Sequence, residues 1–367
     1  MSSAFSEYYN LGNTATKLNN GDFIIWYSRR NGDEKQCFQI IRPIDSNYIL
    51  RKQETVIDTG ATVRNYLECS VLLSNNNVAV VYLVSSDIYF AIYDENGNVI
   101  KSAADTGQDL GISRGTAIAA LTGGGFCLCL ASGGTGKFII YDNSGTEIVP
   151  ATNLTSEETA LYDVSVTPLN NGNFFAAYNR GTNGSGEFVI FDAAGSQVKG
   201  ATEFNDTLTN RFEATTTLSN DNVVLTYLDG STGHCFVIYD EDGNLVKAET
   251  VFSNATTALA IDVKAAEDGG FYIAFADVNN SNYGTYIKYD SSGNIETAAT
   301  VFEQAAVDLI SIAGEIDSNI VIVYRDRDNS FYGEINLNGE EFAPPYDVIT
   351  QKRMVAAAAN TIWYEDI

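Results

Sequence analysis

The apolar positions of this chain fall into short runs rich in Val, Ile, Phe and Tyr, separated by clusters of Gly, Asn, Asp and Ser. Such runs predict strands closed by tight turns, and no segment carries a convincing helical period. Some runs are apolar at every position, as in Phe138-Ile139-Ile140-Tyr141 and Phe236-Val237-Ile238-Tyr239. Continuous apolarity implies burial on both faces, as when one sheet is packed between two others. Other runs carry small side chains, such as Ala117-Ile118-Ala119-Ala120, which suit the crowded region where sheets converge on an axis.

One unit recurs along the chain: a small-residue strand, a turn, an apolar strand closing on Tyr, a variable gap, then Phe-x-Ile-Tyr-Asp-x-x-Gly. The residue closing the second strand falls at Tyr27, Tyr82, Leu130, Tyr178, Tyr227, Phe275 and Tyr324, at spacings of 48 or 49 after a first one of 55. The turn acid falls at Asp94, Asp142, Asp192, Asp240 and Asp290, with Asn336 in the last copy, at spacings of 46 to 50. Two landmarks sharing a period near 48, with four short strands in each unit, predict an all-β β-propeller. The expectation is seven four-stranded blades over residues 1–351, with eight as the alternative. Residues 352–367, where Trp363-Tyr364 echoes Trp26-Tyr27, are expected to form a closing strand or part of an extra blade.

Antiparallel order puts the first and third turns of a blade on one face, and the second turns and crossovers on the other. From Leu18, Leu73, Leu121, Leu169 and Leu218 to the second-strand landmark the distance is always nine residues, so turn geometry holds the first face constant. The opposite loops vary in length and content, and variable loops on a constant framework are where recognition resides. The candidate ligand-binding residues of that face are Arg29, Arg30, Asp33, Arg180, Asn183, His234, Asn282, Tyr283, Arg325 and Arg327.

Composition narrows the partners. The net charge of −26, from 47 acidic and 21 basic residues, repels phosphate backbones and anionic membranes. The N-terminus has neither a basic nor an apolar signal segment, and no apolar run is long enough to span a bilayer as a helix. Localisation on a virion or outside a cell is expected, with the cytoplasm as the alternative. The five cysteines, Cys37, Cys69, Cys127, Cys129 and Cys235, form no CxxC pair and read as buried thiols.

Candidate chemistry is sparse. The turn acids invite a calcium reading, yet they lack the further oxygen ligands and final acid of an EF-hand loop. Asp at a turn's first position accepts backbone N–H bonds and Gly closes the hairpin, so their role is expected to be structural. These turns resemble the sialidase Asp-box in their place in the blade, but lack its Ser and Trp. Arg42-Pro43 is only a two-residue match to the start of sialidases. Their chemistry also needs converging arginines, for which Arg64, Arg114, Arg180, Arg211 and Arg325 are the candidates. The single histidine, His234, stands at a loop–strand junction with no Gly-x-Ser-x-Gly elbow, and no Gly-rich phosphate loop occurs. No catalytic constellation, cofactor or metal is expected.

The repeat Leu169-Asn170-Asn171-Gly172-Asn173-Phe174-Phe175-Ala176-Ala177-Tyr178, followed by Phe188-Val189-Ile190-Phe191-Asp192-Ala193-Ala194-Gly195, resembles those of bacterial and phage extracellular propellers. The resemblance covers residues 10–350 and lacks the marks of WD40 and kelch repeats. It implies a non-enzymatic binding or assembly module, a virion or cell-surface protein that meets a protein or glycan on the variable-loop face. A glycan-active, sialidase-like hydrolase with its site at the axis and an intracellular interaction scaffold are the alternatives.

Overall fold

Where apolar runs alternate with Gly-marked turns, the backbone forms antiparallel strands joined in sequence. A computed structural model of the chain describes residues 14–29, 35–44, 47–57, 65–110, 115–132, 135–156, 161–180, 184–206, 208–256, 260–316, 319–326, 334–337, 340–342, 352–357 and 361–366. The first blade holds β1 (Thr14–Lys17), β2 (Phe23–Arg29), β3 (Lys35–Ile44) and β4 (Asn47–Val56). The second holds β5 (Asn65–Leu72), β6 (Val78–Val84), β7 (Asp87–Tyr93) and β8 (Val99–Asp109). The third holds β9 (Thr116–Ala120), β10 (Phe126–Ser132), β11 (Thr135–Tyr141) and β12 (Glu147–Asn153). The fourth holds β13 (Leu161–Pro168), β14 (Phe174–Arg180), β15 (Ser185–Phe191) and β16 (Gln197–Asn205). The fifth holds β17 (Leu208–Thr217), β18 (Val223–Asp229), β19 (Gly233–Tyr239) and β20 (Leu245–Ser253). The sixth holds β21 (Ile261–Ala265), β22 (Phe271–Asp277), β23 (Tyr283–Tyr289) and β24 (Ile295–Ile316).

The blade count is corrected by this topology: the described residues form six blades, not seven or eight, five as separate four-stranded sheets and the sixth within a longer sheet. Among the described residues the seventh repeat makes no separate four-stranded sheet. Its strands β25 (Asn319–Asp326), β26 (Glu334–Leu337) and β27 (Glu340–Phe342) extend the sixth sheet to seven strands through β24. The first part of β24 pairs with β23 and the last part with β25. The reason lies in missing punctuation. From Thr300 to Ile310 no Gly, Pro or Asn interrupts the extended chain, so one strand runs through the crossover. Strands β28 (Lys352–Ala357) and β29 (Thr361–Asp366) form a separate two-stranded sheet.

The core lies between blades. Phe174, Ala176 and Tyr178 pack on Cys127, Cys129 and Phe138 of the third blade, while Phe175, Ala177 and Phe188 pack on Val223, Leu225 and Tyr227 of the fifth. This double burial is why the second and third strands read as continuously apolar. The ring closes where Ala15, Phe23 and Ile25 meet Ala313, Val321 and Val323. Around the axis, short hydroxyl side chains join neighbouring inner strands: Thr16 to Ser70 at 2.7 Å, Ser165 to Thr215 at 2.8 Å and Thr167 to Thr217 at 2.9 Å. The five cysteines form no disulfide; Cys127, Cys129 and Cys235 lie in these interfaces, and burial pushes the Cys235 thiol up to about 12.

The Asp-x-x-Gly turn proves to be an inter-blade staple. Asp290 Oδ1 accepts the amides of Ser292 and Asn294, and Oδ2 accepts Asn294 Nδ2. These bonds, led by the Asn294 amide, hold the Asp290 carboxyl below its ordinary range. Gly243 sits at φ +72°, and a Cβ there would lie 2.8 Å from both Phe188 Cε2 and Lys199 Cδ of the preceding blade. The same contact recurs from Phe38 to Gly97, Phe90 to Gly145, Phe138 to Gly195 and Phe236 to Gly293. Phe and Gly of the motif are therefore partners across blades rather than within one.

Candidate functional site

On the variable-loop face, the structure distributes the predicted residues unevenly. Arg30, Asp33, Asn183 and Arg327 lie outside the described residues, as do Arg64 and Arg114. Arg29, Arg211 and Arg325 stand on β2, β17 and β25, with side chains outside the description. Among the five arginines weighed for a sialidase-like cluster, only the Arg180 side chain is described, and it is engaged within its own blade. Its guanidinium lies 2.8 Å from Glu187 Oε1, while the Tyr178 hydroxyl donates to Glu187 Oε2 at 2.9 Å. Burial, then the adjacent Glu187 charge, raises the Tyr178 hydroxyl.

His234 is placed differently from the loop reading. It lies in β19 with no exposed surface, opposite Leu228 and Ser253, its ring 6.0 Å from that of Phe252. Gly233, at φ +111°, is itself the first residue of that strand and pairs with Asp229, so His234 already lies inside the sheet. Asn282, at φ +62°, donates its amide to Asp277 and accepts that of Val307 through its carbonyl, tying the loop to β24; Tyr283 opens β23.

The sequence reading missed an aromatic pair that recurs toward the loop-face end of the second strand in three repeats. Phe204 lies 5.3 Å from Tyr227, Phe252 5.5 Å from Phe275, and Phe302 5.2 Å from Tyr324 between ring centres. The first two couple the outer strand of one blade, β16 or β20, to the second strand of the next, β18 or β22, while the third couples β24 to β25 within the extended sixth sheet. Phe204 and Phe252 are half-buried. The signal is legible in retrospect. Phe204, Phe252 and Phe302 stand twelve residues beyond Asp192, Asp240 and Asp290, where the second and third blades carry Thr106 and Leu154.

Polar groups frame these rings. Asn205 Nδ2 donates to Asp229 Oδ2 at 2.9 Å, Tyr227 to Glu249 Oε2 at 2.7 Å, and Tyr324 to Glu303 Oε2 at 2.8 Å. Asp229 Oδ1 also accepts the amides of Ser231 and Thr232, which fixes the fifth blade's loop. On β14, Asn179 is fully buried, and among the described residues neither its Oδ1 nor its Nδ2 has a hydrogen-bond partner. Each such group costs about 1–3 kcal/mol if left dry and unpaired.

A second polar point lies inside the ring. Asp262, half-buried on β21, accepts the Ile312 amide at 2.6 Å and the Val263 amide at 2.9 Å. Burial outweighs these bonds and pushes its carboxyl up to about 6. Because this value lies above the ordinary one near 3.8, the native state holds its proton at pH values where the unfolded chain has lost it. The contribution is therefore favourable in acid, declines as pH rises from about 4 to about 6, and is level above, over a range of up to about 3 kcal/mol. Melting of the wild type and Asp262→Asn between pH 4.5 and 7.5 checks this. The difference is expected to shift in favour of the wild type as pH falls, whereas a constant difference contradicts it.

Among the described residues, no group of three His, Cys, Asp or Glu could hold a metal ion, and no helix is long and apolar enough to cross a membrane.

No family model matches the chain, and no curated protein matches its sequence. Solved structures do. The SapL1 lectin in complex with α-methyl fucoside matches with a TM-score of 0.51 at 13% identity, over 79% of this chain and 96% of its own. An ulvan lyase, a polysaccharide lyase, matches with 0.54 at 11%, over 90% and 94%. The β-propeller domain of the Trilobed protease from Pyrococcus furiosus matches with 0.52 at 11%, over 91% and 97%. At these identities the likeness shows the propeller fold alone.

Proposed function

We propose that this chain is a non-enzymatic binding propeller that recognises a glycan at the inter-blade clefts of its variable-loop face. The observation that carries the reading is the aromatic pair repeated between blades at Phe204–Tyr227 and Phe252–Phe275, framed at the first by hydrogen-bonding side chains. An aromatic ring offers a face to the C–H side of a sugar, while fixed polar groups meet its hydroxyls. Strands hold both in place, so little ordering is needed on binding. The lectin among the similar propellers supports the same reading. Glycan-array binding of the full chain tests it. Phe204→Ala is expected to weaken the signal about tenfold, corresponding to about 1.4 kcal/mol of lost contact. Unchanged binding by Phe204→Ala and Phe252→Ala would count against the clefts.

One observation favours a second reading, a glycan-active enzyme working at the axis. A carboxyl raised to about 6, as Asp262 is, suits proton transfer near neutrality. Turnover of chromogenic glycosides that disappears in Asp262→Asn would favour that reading over binding alone.

A further inference from the structure

The residue that follows the second-strand landmark is Leu83, Ala131, Asn179, Leu228 or Ala276 in the second to sixth copies. Four of these are apolar, and all five are buried. Only the fourth copy places an amide there, and among the described residues both amide atoms are without a partner. Strand alternation aims the Asn179 side chain along the face of Phe175 and Ala177, toward the fifth blade. Its position near the end of β14 sets it toward the loop-face end of that interface, where Tyr227 and Asp229 close β18. A dry core at this place would be served by Leu or Ala, as the sister copies show. A fully buried polar group without a partner in a native fold calls for something that pairs with it.

We infer that Asn179 is the floor of a binding site between the fourth and fifth blades, and that its ligand is a neutral monosaccharide unit bearing adjacent hydroxyls. This deepens the glycan reading and rests on it. A hydroxyl both donates and accepts, so one of a neighbouring pair takes the Nδ2 hydrogen while the other donates to Oδ1. Asp229 and Glu249 bring negative charge to the cleft, which disfavours a carboxylated or sulfated sugar. Phe204, half-buried and tilted at 51° against the Tyr227 ring, supplies the apolar wall.

The test uses the full chain, Asn179→Ala and Asn179→Leu, substitutions that copy the sister blades. Each is melted alone and with tens of millimolar methyl glycosides of glucose, galactose, mannose, fucose and N-acetylglucosamine. The wild type is expected to gain several degrees with at least one neutral sugar. Both variants are expected to melt no lower than the wild type without sugar, and to lose the sugar-dependent gain. No gain for the wild type with any of the sugars overturns the inference. So does a gain that survives in the variants, or a lower melting point with unchanged sugar response, which would mark the amide as the seat of a structural water. Array binding that persists in Asn179→Ala removes this site but leaves the general glycan reading standing; absence of array binding by the wild type removes that reading as well.

Discussion

Alanine in place of Gly243 is expected to cost about 3 kcal/mol of folding stability, read as a lowered urea midpoint. Two effects add. The backbone there is left-handed, at φ +72°, which costs an L side chain about 1–2 kcal/mol. The new Cβ would also meet Phe188 and Lys199 at 2.8 Å, and overpacking of this kind costs about 1–3 kcal/mol. The control is Gly172→Ala. Gly172 is also left-handed, at φ +92°, but nothing lies within 4 Å of its would-be Cβ. It should lose only the backbone share, about 1–2 kcal/mol. Equal losses at the two sites would show that the turn does not clamp neighbouring blades together.

Glu187→Ala should lose about 3 kcal/mol, through a different mechanism. The carboxylate is buried and accepts the Tyr178 hydroxyl while pairing with Arg180. Its removal leaves a buried phenol and a mostly buried guanidinium unpaired, and breaking a buried pair is far costlier than the pair is worth. Arg180 retains some exposure and can recover part of its hydration, which keeps the loss below the upper range for a sealed pair. Replacing the phenol as well, in Tyr178→Phe with Glu187→Ala, should return part of the lost stability. A loss under about 1 kcal/mol for the single substitution would mean that the trio is solvated and contributes like a surface pair.

Much of this fold is legible in the sequence because turn chemistry and burial both leave local marks. Asp240 with Gly243 announces a hairpin, and Phe236 to Tyr239 announces a strand covered on both faces. The staple between Phe188 and Gly243 leaves no such mark, since it depends on how two blades stack. The blade count failed at Thr300 to Ile310, where repeat spacing outweighed the absence of any residue to end the strand. His234 and Asn179 escaped for a shared reason. A polar residue beside Gly or Arg reads as loop, yet each lies one step inside a strand end, where side chains still face a neighbouring blade. Arg180 reads as a ligand contact because its partner, Glu187, is reached only once the hairpin closes.

The binding account stands or falls on where a ligand rests. A crystal structure of the chain with an array-selected glycan is predicted to show a sugar ring against Phe204, with hydroxyls reaching Asn179, between the fourth and fifth blades. Sugar lodged in the channel beside Asp262, or on the opposite face beside the Asp240–Gly243 turn, would contradict it.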